Sequence, residues 1–386
     1  MKIKEMSDVL NGYAFKSSNY INDGYRIIRI TNVQSGYIED EKPVYYEYDN
    51  KLEKYDLQEN DLLISLTGNV GRCALVTRKF LPAYLNQRVC CLRVNEKIVL
   101  PKFLYYILNS KKFEFDCINS SQGIAQLNMS TEWLKKYNLE IPTIELQEKI
   151  INIFDKVYNN IDIKKNQINF CNNLIKSQFV EMFGDPVDNT FNFPMASIGS
   201  FCFVTKLAGF EYSKYIKYKD SGDVIMVRGL NVKNNKLKLD DVYYIDKDVS
   251  DSLPRSQLSV GDICMTYVGI NIGDVALVDN KNNYHLAPNV AKISLNDKEK
   301  FNPLFFVNLL AYNKRNFATT ATNTAKQALN MEKIRNLRVM IPPIELQNKF
   351  AMIVEQIDKQ KFVNANLLQL LGKNLKRCYN NIIDFR

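Results

Sequence analysis

The sequence predicts an α+β protein: two tandem mixed α/β globules separated by a long antiparallel pair of α-helices, with pseudo-twofold symmetry. Three observations predict it. The chain repeats itself, two stretches are nearly free of helix breakers and carry apolar residues at helical spacing, and the rest alternates short β-type runs with Gly and Asn turns.

The repeat comes first, because missing it would misread the whole architecture. Ile141-Pro142-Thr143-Ile144-Glu145-Leu146-Gln147 recurs as Ile341-Pro342-Pro343-Ile344-Glu345-Leu346-Gln347, six identities in seven at an offset of 200. Leu127-Asn128-Met129 recurs as Leu329-Asn330-Met331. Further back, Leu57, Asp61, Gly68, Asn69, Gly71 and Ala74-Leu75-Val76 match Leu258, Asp262, Gly269, Asn271, Gly273 and Ala276-Leu277-Val278, with one residue inserted in the second copy. Pro101 and Phe103 match Pro303 and Phe305, and Arg29 with Asn32-Val33 matches Arg228 with Asn231-Val232. The matches keep their order, so the chain is two copies of one unit of about 200 residues.

Residues 1–144 form the first expected globule, with β-type runs at Tyr25–Ile30 and Leu62–Leu66 and a helix opened by Pro101. Residues 145–182 form the first long helix. Residues 183–344 repeat the globule, with runs at Val224–Val227 and Asp274–Val278 and a helix opened by Pro303, and residues 345–386 form the second long helix. The pairing seam is expected to use Ile150, Ile153, Val157, Ile168 and Ile175 against Phe350, Ile353, Ile357, Leu371 and Leu375. Their three- and four-residue steps put them on one stripe, and a free stripe of that length is better buried against its equivalent than left on its own globule. Gln167, Asn169, Asn172 and Asn364 interrupt the seam and could fix its register. A helix of about 35 residues is a rod of roughly 50 Å.

Composition narrows the function. In 386 residues, 46% are hydrophobic and 24% charged, an ordinary balance for a folded chain. One histidine, His285, leaves no multi-histidine metal centre, and no metal-binding or catalytic residue is assigned. The eight cysteines form no Cys-x-x-Cys pair and read as reduced, buried small hydrophobes in a cytoplasmic protein. No apolar run approaches the length of a membrane span. The excess of 51 Lys+Arg over 42 Asp+Glu fits a nucleic-acid partner without requiring one.

No phosphate-cradling Gly-rich loop, dinucleotide fingerprint, nucleophile elbow or His-Glu-x-x-His occurs. Asn302-Pro303-Leu304-Phe305 loosely resembles the loop with which adenine methyltransferases grip a target amino group, but Pro303 matches Pro101 and both open a helix, with Asn302 as N-cap. Gly68-Asn69-Val70-Gly71 reads as a tight hairpin in preference to a Gly-x-x-Gly backbone clamp. Asp61 and Asp262 read as turn caps.

Between the framework matches lie segments where the copies differ, rich in groups that bond base edges and phosphates. In the first copy the candidate DNA contacts are Tyr13, Lys16, Ser17, Asn69, Asn86, Gln87, Arg88, Ser120, Ser121 and Gln122. In the second they are Lys206, Tyr212, Lys214, Arg228, Tyr267, Asn271, Asn289, Thr322, Asn323, Thr324, Lys326 and Gln327. A shared frame with divergent polar loops suggests two related modules reading two different sequences.

On the paired Ile-Pro-x-Ile-Glu-Leu-Gln segments and on Phe179-Val180-Glu181-Met182-Phe183-Gly184-Asp185-Pro186 after the first long helix, the chain resembles the specificity subunit of type I restriction-modification systems. The resemblance implies two target recognition domains reading a bipartite, asymmetric double-stranded DNA site, with the helices as spacer. It also implies that this chain is non-catalytic and holds no cofactor. S-adenosylmethionine and the methylation chemistry would sit in two docked methyltransferase subunits, which two motor-nuclease subunits can join; no membrane is involved. A related system whose partner fuses adenine methylation with DNA cleavage, and a non-DNA structural adaptor, are the alternatives.

Overall fold

In a computed structural model the chain is described over residues 1–121, 127–297, 300–314 and 328–383. It divides into two compact units, Met1–Lys165 with Ala365–Arg386, and Asn166–Asn364. Both long helices, Ile144–Phe183 and Ile344–Ile383, cross that division, so each unit owns half of each.

Strand Leu62–Ser65 shows how the first unit is built. Side chains alternate across a strand, and this one is buried on both faces. Leu62 and Ile64 join Phe103, Leu104, Phe113, Ile150 and Phe154 in one core, while Leu63 joins Ile28, Val33, Leu85 and Cys91 in another. The strand sits inside an antiparallel sheet of order Ser7–Asn11, Val89–Val94, Leu62–Ser65, Cys73–Leu75. A second sheet has the order Tyr45–Tyr46, Tyr25–Ile28, Ala83–Leu85, with the last two strands parallel.

The second unit repeats the plan with more strands. Ile263 and Met265 face a core with Phe179, Phe183, Phe305, Phe306 and Phe350, and Cys264 faces the opposite core with Val227 and Leu286. Its larger sheet has six strands, ordered Val232–Lys233, Asn235–Leu237, Val275–Leu277, Ile263–Thr266, Val290–Leu295, Cys202–Lys206. The smaller one runs Tyr243–Ile245, Val224–Val227, Tyr284–Leu286, Gln257–Leu258.

The two prolines do open helices, Pro101–Leu108 and Pro303–Tyr312, where a missing N–H costs nothing. Asn302 caps the second of these by accepting from the N–H groups of Leu304 and Phe305. The repeated Gln of the Ile-Glu-Leu-Gln segment is a buried clamp. The Gln147 amide accepts from Leu100 N–H at 2.8 Å and donates to the carbonyls of Ile98 and Pro142, and Gln347 likewise accepts from Asn302 N–H at 3.0 Å and donates to those of Lys300 and Pro342. In each copy it ties the long helix to the segment before the short one, which is why the residue recurs.

Within each unit the N-terminal half of one long helix packs on the C-terminal half of the other, the sense of an antiparallel pair. In the first unit the Tyr158 and Tyr379 hydroxyls meet at 2.9 Å, and the Phe154 ring lies 4.8 Å from that of Tyr379. In the second, Phe179 and Phe183 pack edge-on to Phe350, at 5.4 and 5.6 Å. Of the expected seam residues, Ile150, Phe350 and Ile357 are buried, Ile175 and Leu375 pack against the two cores, and Val157, Ile168, Ile353 and Leu371 are half-buried. Ile153 is a correction: it is 52% exposed, and Phe154 holds the buried position. One helical step from Ile150 can reach either residue, and the larger ring packs better on Tyr106 and Tyr379. Gln167, Asn169 and Asn172 face outward, whereas Asn364 is buried with neither side-chain polar atom paired among the described residues.

Candidate nucleic-acid interface

Backbone hydrogen bonds gather the divergent loops along one edge of each unit. In the first, Tyr13 N–H donates to the Leu85 carbonyl at 2.9 Å and Gln87 N–H to the Tyr13 carbonyl at 2.8 Å. That approach requires Gly12, since a Cβ there would lie 2.1 Å from the Asn86 carbonyl oxygen. Leu66 N–H donates to the Arg88 carbonyl, and Gly68 N–H to that of Leu127. Tyr13, Asn69, Asn86, Gln87 and Arg88 are thereby brought together, with Arg88 exposed and in the left-handed region at φ 70°.

Gly68 and Gly71, also at positive φ, make the hairpin between Leu62–Ser65 and Cys73–Leu75. Lys16 and Ser17 are exposed beside the buried Phe15. Ser120 and Ser121 instead close their own helix, each hydroxyl donating to the Cys117 carbonyl.

The second unit repeats the edge. Tyr267 N–H donates to the Asn289 carbonyl at 3.1 Å, Leu329 N–H to the Tyr267 carbonyl at 2.9 Å, and Asn289 has the same φ of 70° as Arg88. The Lys206 ammonium stands 5.3 Å above the Tyr267 ring, whose hydroxyl pKa burial raises. Asn271 is exposed on the longer turn, where the inserted residue Ile270 is 98% exposed. Tyr212 and Lys214 lie on a helix, Gly209–Tyr215, that the sequence reading missed. Arg228 is already engaged: its guanidinium lies 4.4 Å from the Tyr243 ring and bonds Asp241 at 2.9 Å. It belongs to the frame, as Arg29 does through the Lys42 carbonyl. Gln122, Thr322, Asn323, Thr324, Lys326 and Gln327 lie outside the described residues, but the chain beside those segments is anchored to the edge by the bridges Thr67 to Asn128 and Val268 to Ala328.

Asp61 and Asp262 cap turns as expected, accepting from the N–H groups of Gln58 and Ser259 at 2.7 Å. Each also takes a donor the sequence did not reveal, Arg93 in the first unit and Ser294 in the second. Arg72 and Asp274 stand at equivalent places after the two turns, their N–H groups donating to the Ser65 and Thr266 hydroxyls at 3.0 and 3.1 Å.

Among the described residues no three His, Cys, Asp or Glu groups cluster as metal ligands. Burial pushes the Cys90, Cys117 and Cys202 thiols up to about 12, so they stay protonated. His285 is fully buried, with Nδ1 at 3.0 Å from the Leu286 carbonyl oxygen. No helix among the described residues is long and apolar enough to cross a membrane.

The chain matches the family model for the type I restriction modification DNA specificity domain twice, over residues 1–170 and 194–371. It is 23% identical to the EcoBI type I restriction enzyme specificity subunit of Escherichia coli over 413 residues, 99% of this chain and 83% of that protein. It is 27% identical to the MjaVIII specificity subunit of Methanocaldococcus jannaschii over 173 residues, 43% of this chain and 41% of that one. Its fold is similar to the crystal structure of a type I restriction-modification S subunit from M. genitalium, with TM-score 0.60 at 14% identity, covering 100% of this chain and 96% of that one. With the repeat, the doubled loop edge and a family match over most of its length, the chain belongs to the type I restriction modification DNA specificity family, carrying two copies of the domain in tandem.

Proposed function

We propose that each unit reads one half of a split, asymmetric double-stranded DNA site, and that this chain supplies the address for chemistry done by its partners. What supports the reading most is that one hydrogen-bonded loop edge occurs twice with different side chains on it: Asn69, Asn86, Gln87 and Arg88 in the first unit, Lys206, Asn271 and Asn289 in the second. A common frame sets the approach to the duplex, an exposed cation such as Arg88 meets the phosphates, and the polar side chains beside it choose the bases.

In this reading residues 1–144 and 183–344 are the recognition domains, and the helices between and after them are the spacer. Two methyltransferase subunits, bringing S-adenosylmethionine, dock on the chain, and motor-nuclease subunits complete the restriction assembly. Extrusion of the target adenine and its methylation then belong to those subunits.

The test is co-expression with the neighbouring methyltransferase gene followed by modified-base sequencing. The expected result is a single bipartite motif, methylated only when this chain is present. Methylation without the chain, or a continuous palindromic motif, overturns the reading. Shortening both long helices by one heptad is expected to change the number of unread base pairs between the half-sites.

A further inference from the structure

We infer that Arg72 is the side chain with which the first unit selects guanine, and that Gln34 is its positioning residue. The inference rests on the DNA-reading function proposed above and names the base class for one half-site.

Arg72 leaves the Gly68–Gly71 hairpin with its backbone held at both ends: its N–H donates to the Ser65 hydroxyl at 3.0 Å, and its carbonyl accepts from Ser65 N–H at 3.0 Å. One guanidinium nitrogen donates to the Gln34 side-chain oxygen. The Gln34 nitrogen donates to the Thr31 carbonyl at 2.9 Å, which settles which way the amide faces. Arg72 is thus half-buried and gripped on one side by a neutral, planar group.

Arg72 makes no ion pair among the described residues. Arg26, Arg78 and Arg93 of this unit pair with Asp40, Glu59 and Asp61. Arg72 and Arg88 have no acidic partner among the described residues, and both line a cleft of about 310 Å³ together with Gln34, Thr67 and Asn69. A cleft with two unneutralised guanidinium groups suits an acceptor-rich ligand. The major-groove edge of guanine offers two acceptors, O6 and N7, whereas adenine pairs an acceptor with a donor that a guanidinium cannot satisfy.

Phosphate also attracts arginine, but an exposed side chain such as Arg88 meets it more readily than one seated in a cleft. At the matching position of the second unit stands Asp274, bonded by Lys314, an acid where the first unit has this arginine.

The experiment uses the full chain co-expressed with its methyltransferase partner. Modified-base sequencing and binding to duplex DNA are compared for the wild type, Arg72→Ala, Arg72→Lys and Gln34→Ala. Arg72→Ala is expected to turn one guanine of the motif into any base and to weaken binding to the original site roughly 5- to 150-fold. Arg72→Lys, which keeps the charge and loses the fork, is expected to stay relaxed at that position. Gln34→Ala is expected to lower the preference for guanine at that position by a larger factor than it lowers binding to unrelated DNA.

The other half-site, unaltered in the same run, reports that each variant folds and assembles. Equal weakening on every sequence, restored by lysine, would make Arg72 a phosphate contact and overturn the inference; so would an unchanged motif. If the wild type directs no methylation and binds no DNA, the failure is of the reading function itself.

Discussion

In the first unit the buried carboxylate before the central strand, Asp61, is gripped by both prongs of Arg93 at 2.8 and 2.9 Å. The equivalent Asp262 of the second unit takes the Ser294 hydroxyl at 2.6 Å and has the Lys292 ammonium at 3.6 Å. The backbone requires an acidic turn cap at this point in both, but any nearby donor can complete it. At the loop edge the residues differ more freely still, as with Arg88 and Asn289 at one left-handed position, while the turn keeps its buried apolar residue, Val70 or Ile272, and differs by the inserted, exposed Ile270. Positions that carry a backbone requirement recur; positions that face solvent diverge, and there the two units can acquire different partners.

Four measurements sharpen that contrast. The largest effect is expected where the frame is apolar: Phe179→Ala removes a fully buried ring touching Phe183, Phe305, Tyr312 and Phe350, at a cost of about 3–5 kcal/mol in urea unfolding. Its counterpart Tyr379 contributes a ring and one hydroxyl bond to Tyr158, so Tyr379→Phe is expected to cost only about 1 kcal/mol; an equal loss in the two would mean the helix halves are packed alike.

Next, Arg93→Ala strands Asp61 without its ion pair and is expected to destabilise the first unit by about 2–3 kcal/mol, against about 1 kcal/mol for Lys292→Ala, because Asp262 keeps Ser294. Hydrogen exchange resolves the units, and the reverse order would sink the idea that the donor is exchangeable. Third, Arg88→Gly spares the left-handed backbone and removes the cation. It should weaken DNA binding by about 1 kcal/mol for every sequence and lower the salt slope by about one phosphate; Asn289→Gly should leave the slope unchanged.

The smallest effect concerns acid. In the smaller sheets Tyr84 pairs in register with Ile27, and His285 occupies the same place opposite Met226. Tyr84 accepts from Asp49 N–H at 3.1 Å, but the Nε2 of His285 is buried with no hydrogen-bond partner among the described residues. Burial lowers the His285 pKa below its ordinary 6.5. The unfolded chain then binds a proton that the folded one refuses, so the His285 contribution is intact above pH 6.5 and is lost as pH falls from there toward the depressed folded value. Hydrogen exchange in mild acid is expected to quicken in the second unit first, and His285→Tyr to reduce that difference; simultaneous loosening of both units would remove His285 as the cause.

The repeat, the two 40-residue helices, the proline-opened short helices and the family could all be read from residue order, because each rests on local spacing or on self-matching within one chain. The clamp role of Gln147 and Gln347 could be suspected from their recurrence but not understood, since these partners lie 45 to 49 residues away. Helical spacing also left Ile153 and Phe154 competing for one buried position, and only the rings across the interface chose between them.

What tertiary structure alone decided is which polar side chains are free. Residue order singled out Arg228 as a DNA contact and passed over Arg72, yet Arg228 is consumed by Asp241 and Tyr243, while Arg72 is held by Gln34 in the lining of a cleft. A charge is available for recognition only if folding has not already supplied its counter-group, and that counter-group arrives from 13 or 32 residues away through contacts no local pattern encodes.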